Sequence, residues 1–139
     1  MAAEAFANPN AAQNGRAISN AQLWTGRILS ALLVLFLLMD GTMKLFKPAS
    51  VLQATAQLGY AERDIVPIGM TLLVCTLLYI LPRTAIFGAI LLTGYFGGAI
   101  ASQVRAANPT FNVIFAALFA CLLWLGLWLR DGRVRKLLV

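Results

Sequence analysis

The stretch "ILSALLVLFLLMDGTMKLF", Ile28 to Phe46, decides the fold. No charge interrupts it from Ile28 to Met39. That part alone is too short to cross a bilayer, since a spanning helix needs roughly 20 predominantly apolar residues. Only by including Asp40 to Phe46 does the segment become long enough. Asp40 and Lys44 are therefore expected inside the membrane span or at its rim, one helical turn apart and able to pair.

Bulk composition agrees with a membrane reading. The 139 residues are 60% hydrophobic and only 12% charged, with a mean hydropathy of +0.81. Soluble domains lie nearer ~45–50% apolar and ~25% charged. The net charge of +6 does not mark a nucleic-acid binder, because nearly all the basic residues flank apolar runs. With no histidine in the chain, haem or zinc ligation through imidazole is excluded, and no metal site is expected. Cys75 and Cys121 form no CxxC; each sits near the middle of an apolar run and is read as a small packing residue, with an inter-helix thiol pair as the alternative.

Ala- and Asn-rich residues 1–19 read as a flexible tail. No basic, apolar and cleavage-site sequence marks a removed signal peptide, so the first span is expected to act as its own insertion signal. Ser19 to Gln22 fits a capping box, and Lys47-Pro48 ends the first helix. Val51, Leu52, Thr55 and Leu58 share one side of the next segment, while Ser50, Gln53 and Gln57 share another. This is a short amphipathic helix on the membrane surface, capped by Gly59, with Tyr60 in an aromatic belt. Asp64 can cap the second span, with Pro67 in its first turn. Pro82-Arg83 is a tight turn, and Asn108-Pro109 is a cap followed by proline at the first helical position. Trp124 and Trp128 read as an interfacial anchor. The expected fold is all-α: an integral membrane four-helix bundle over residues 20–130, with spans at about 24–46, 65–81, 84–104 and 110–129, and a basic cytoplasmic tail at 131–139.

Four spans put both termini on one side. That side carries seven basic and two acidic residues, net +5, against four basic and three acidic, net +1, on the other. By the positive-inside rule both termini are expected in the cytoplasm. Asp40 and Lys44 then lie toward the outer end of span one, level with Gln103 and Arg105 at the end of span three. Two uses suit that convergence. One is an ion pair that fixes helix position; the other is a polar pocket that binds a ligand head group or handles a proton. A rim location with no special role is the third option. Gly94, Gly98 and Ser102 form a small-xxx-small series expected to pack inside the bundle, with a homo-oligomer contact as the alternative. Met39 and Met43 read as apolar packing, and no catalytic constellation of a familiar kind is present.

The stretches "LWTGRILSALLVLFLLMDGTMKLFKP", "ATAQLGY", "VPIG", "LYILPRTAIFGAILLTGYFGGAIASQVR" and "LWLRDGRVRKLL" together resemble the DoxX-like family of small four-span membrane proteins. The D-G-x-x-K stretch is Asp40, Gly41 and Lys44, the L-G-Y turn is Leu58 to Tyr60, and the P-R-T turn is Pro82 to Thr84. The resemblance implies a multi-pass protein of the inner (plasma) membrane, linked to quinone redox chemistry as a subunit for a redox partner. No covalently bound cofactor is expected. Asp40, Lys44, Gln103 and Arg105 would line the ligand site. The resemblance also implies a histidine near the outer end of span three, where this chain has Gln103. The alternative from another class is a non-catalytic module that assembles with or stabilises a larger membrane complex. Its partners are the bilayer and other proteins, not nucleic acid.

Overall fold

A computed structural model describes residues 19–138, and the described residues are helical with short connections. Six helices follow in order: α1 Asn20–Phe46, α2 Ala49–Gln57, α3 Glu62–Ile80, α4 Ala85–Arg105, α5 Thr110–Arg130 and α6 Gly132–Leu138. Helices α1, α3, α4 and α5 are long and apolar enough to cross a membrane. The expected flexible tail lies outside the described residues, apart from Ser19.

Helix starts and stops follow local chemistry, with some corrections. Ser19 caps α1 by accepting from the Gln22 N–H at 3.2 Å. Lys47 closes the helix in the left-handed region (φ 50°) with its N–H on Met43 O. Gly59 takes φ +83° beyond α2. There Gly59 N donates to Ala56 O at 3.0 Å and Tyr60 N to Thr55 O at 3.2 Å, the two bonds of a Schellman motif. Asp64 is not the cap of α3: the helix begins three residues before the expected start, after Ala61. Glu62 and Asp64 instead occupy its first turn, where the macrodipole favours acids. Asn108 is not a cap either, because its side chain donates to Gln103 Oε1 at 2.7 Å and α5 starts after Pro109.

The four long helices pack in a ring, α1 against α3 and α5, and α4 against the same two, leaving α1 and α4 diagonal to each other. The buried stripe of α1 is Gly26, Ser30, Leu33, Leu37 and Gly41, with successive spacings of four, three, four and four residues. That spacing keeps them on one face of the helix, its seam with the bundle. Small residues set the closest approaches. A Cβ on Gly41 would stand 2.7 Å from Leu73 Cδ2, one on Gly69 2.8 Å from Lys44 Cβ, and one on Gly26 2.7 Å from Leu129 Cβ. A Cβ on Gly88 would run into the Leu78–Tyr79 backbone.

A buried polar node ties three spans together near the α6 end. Tyr79, 0% exposed, donates to Leu123 O at 2.9 Å. Having spent its one proton, its oxygen accepts from Ser30 Oγ at 3.3 Å. Leu32, Leu35, Phe87, Ile90 and Ile114 face outward. In water such a surface would aggregate; in lipid it is the solvated side.

The segment read as a basic tail is helical over Gly132–Leu138 and folds back on the bundle. Val134 is buried in the core cluster, and Arg135 donates to Trp128 O at 3.0 Å with its guanidinium 4.6 Å from the Trp128 ring centre. Trp124 differs from the interfacial anchor expected of it: it packs against the core and donates its indole N–H to Thr93 Oγ1 at 2.8 Å. Cys75 is buried and Cys121 exposed, both as free thiols.

Candidate functional site

Asp40 continues the α1 seam at the spacing that runs Leu33, Leu37, Asp40, Lys44. The two side chains pair, Lys44 Nζ to Asp40 Oδ2, at 2.5 Å. The lysine side chain is the more buried partner, at 18% exposure against 38% for the aspartate. Lys44 gets its depth from the Gly41–Gly69 crossing, where the missing Cβ of Gly69 makes room for the lysine stem. In a low-dielectric setting a lone charge is costly and a pair much less so.

Gln103 and Arg105 serve a different set of partners. Gln103 Oε1 accepts from Asn108 and, at 3.5 Å, from Asn112. Arg105 donates to Leu58 O at 2.9 Å, with its guanidinium 5.9 Å from the Tyr60 ring centre. No hydrogen bond or ion pair among the described residues joins either one to Asp40 or Lys44, because α1 and α4 stand on the diagonal of the bundle. The expected polar set is thus two neighbouring groups at the α2 end.

Ser102 is buried as part of the second group, not of a glycine seam. It donates to Gly98 O at 2.8 Å, so the 2.6 Å contact with the Tyr60 hydroxyl has Tyr60 as donor. Tyr60, read as an aromatic-belt residue, therefore ties the loop after α2 to α4. Gly94 and Gly98 do not pack inside the bundle: a Cβ on either, or on Gly97, meets nothing within 4 Å.

The residue that relates the two groups is Tyr95, which sequence reasoning passed over. Asp40 and Tyr60 both lie close enough to act electrostatically on its hydroxyl. Among the described residues no hydrogen bond engages that hydroxyl, and no sealed side-chain polar atom lacks a partner. The Tyr95 hydroxyl, half-buried on α4, is thus neither bonded within the bundle nor fully sealed in it.

An aromatic wall runs toward the same place. Phe111, Phe115 and Phe119 follow one another along α5 with ring centres 6.1 and 4.7 Å apart. Phe36 of α1 sits 4.7 Å from Phe119, and Phe96 of α4 6.1 Å from it. Asp40 lies one turn beyond Phe36. The i, i+4, i+8 spacing of the three α5 phenylalanines was the signal available in the sequence.

Four apolar helices around a confined polar group define a small multi-pass membrane protein. The model of the DoxX-like family matches residues 28–126, and the chain belongs to that family. No curated protein and no solved structure matches it.

Proposed function

We propose that this protein is a subunit of the inner membrane that holds the head group of a quinone, or a similar lipid-soluble ring, for a redox partner protein. The supporting observation is the aromatic wall of Phe36, Phe115 and Phe119, which leads to Asp40, Lys44 and Tyr95. A flat apolar ring with carbonyl oxygens at its edge needs that combination: aromatic faces to stack on and donors at one end. Lys44 Nζ and the Tyr95 hydroxyl supply donors. Asp40 fixes the lysine and can accept from a quinol hydroxyl. Reduction to the quinol takes up two electrons, supplied by the partner, and two protons, which can pass through Lys44 and Asp40.

The test is quinone content. The protein is purified in mild detergent, its lipids are extracted, and quinone is quantified by absorbance. Quinone should be retained by the wild type. Tyr95→Phe should weaken binding of an added short-chain quinone by roughly two- to tenfold, the scale of one hydrogen bond. A wild type that carries no quinone and shows no saturable binding of the short-chain form contradicts the proposal.

A second reading, a non-catalytic module that assembles with another membrane protein, is favoured by one observation. Gly94, Gly97 and Gly98 present an open face on α4, the kind of surface that lets a helix approach closely.

A further inference from the structure

At the opposite end of the bundle from Asp40, a cavity of about 330 Å³ is lined by Arg27, Pro82, Ala85, Leu127, Arg130, Asp131 and Arg133. Four parts of the chain converge there: the start of α1, the α3–α4 turn, the end of α5, and the start of α6. We propose that this cavity binds the phosphodiester headgroup of an anionic membrane lipid.

Charge balance is the first argument. Three arginines line the cavity with one carboxylate, and that carboxylate is already committed. Asp131 accepts from Arg133 Nη2 at 3.0 Å, from its Nε at 3.3 Å and from the Arg133 backbone N–H at 2.9 Å. Arg133 is further held by Pro82 O. Arg27 and Arg130 are left without a carboxylate of their own, for a net charge of two.

Donor supply is the second argument. Each guanidinium has five N–H donors in a fixed fork that suits phosphate oxygens. Arg130 gives one bond, at 2.9 Å, to Tyr79 O. Its plane is steadied by the Tyr79 ring, with centroid distance 4.7 Å. Arg27 has no hydrogen-bond or ion-pair partner among the described residues and lies 5.9 Å from the Trp24 ring centre. Ala85 is the first residue of α4, whose N-terminus has no side-chain cap, so the positive end of that helix faces the cavity as well.

Depth selects the lipid. Arg27 immediately precedes the apolar run from Ile28, and Arg130 ends the last span. Trp24, 61% exposed, lies beside Arg27, and exposed tryptophans are common at membrane interfaces. The cavity is therefore at headgroup level, and basic pockets between spans suit anionic headgroups.

The experiment uses the full chain in phosphatidylcholine vesicles, with and without phosphatidylglycerol, and reads the thermal midpoint and bound lipid by native mass spectrometry. Phosphatidylglycerol should raise the midpoint and be retained. Arg27→Gln should weaken retention about tenfold, the scale of losing charge-assisted hydrogen bonds. Arg27→Lys, which keeps charge but loses the fork, should fall between. Lys136→Gln, a basic residue at the same end outside the cavity, should bind as the wild type does. Equal losses in Arg27→Gln and Lys136→Gln, or no preference for phosphatidylglycerol, overturn the proposal. Equal stabilisation by inorganic phosphate in neutral vesicles, lost with Arg27, overturns the lipid as its source. None of these readouts depends on quinone.

Discussion

Gly88 and Gly94 lie six residues apart on α4, which at ~3.6 residues per turn puts them on different faces. An added methyl at Gly88 strikes the backbone of Leu78 and Tyr79, whereas at Gly94 it meets nothing. Gly88→Ala should therefore lower stability by about 1–3 kcal/mol through overpacking. Gly94→Ala should be neutral or stabilising by up to ~1 kcal/mol through helix propensity. Thermal midpoints in one detergent check both. Gly98→Leu should leave the midpoint unchanged; if it also removes an oligomer from crosslinked membranes, the open face is an intermolecular contact. A loss of midpoint in Gly94→Ala equal to that of Gly88→Ala would contradict the packing described. The small-xxx-small spacing of Gly94 and Gly98 was plain in the sequence, but spacing shows only that a helix has a small face. Which face turns inward depends on the neighbours, and Leu92 and Phe96, both buried, turn the glycines out.

Among the elements, α6 shows how charge hides structure. Seven residues with three basic side chains read as part of a basic cytoplasmic tail. What anchors them is one apolar residue, Val134, and an aspartate bonded to Arg133. Burial pushes the Asp131 carboxyl up, but hydrogen bonds from Arg133 and the charges of Arg133 and Arg130 outweigh it and hold the group below the usual carboxylate range. A folded-state value below the unfolded one means that the contribution is complete above the ordinary carboxylate range. It is lost as pH falls through that range toward the folded value. On acidification from pH 7 to about pH 3, the wild type should lose more of its thermal midpoint than Asp131→Asn. Parallel pH curves for the two would show that the contact does not anchor α6. The long helices, in contrast, were legible almost to their ends, because hydropathy over ~20 residues is a strong signal. Their starts were less so. The acids of Glu62-Arg63-Asp64 extended α3 outward, and the Asn108 side chain bonded Gln103 instead of a helix N–H.

Across the whole molecule, counting residues along the sequence brings the polar residues to one end of the bundle but does not say which touch. Level along the axis follows from counting residues; neighbours across the bundle follow from helix order. In the ring α1–α3–α4–α5, span one borders spans two and four, so Lys44 packs over Gly69 while Arg105 binds Leu58. Tyr95 carries no charge and sits mid-span, so nothing in its local sequence set it apart. The proposed orientation, with the more basic α6 end in the cytoplasm, predicts that labels after residue 138 are protected in intact cells. A cysteine at the exposed Gln57 should then react with an impermeant reagent, and the reverse pattern would invert the protein.

The central claim is that Asp40 and Lys44 compensate each other inside the bundle and together hold a ligand. It is tested most directly by comparing Asp40→Asn, Lys44→Met and the double change for folded yield and quinone content. Each single variant leaves one charge uncompensated in a low dielectric, so each should fold worse than the double variant. The double variant should fold yet carry no quinone. Equal and mild effects on yield in all three, or a double variant that retains quinone as the wild type does, would contradict the account.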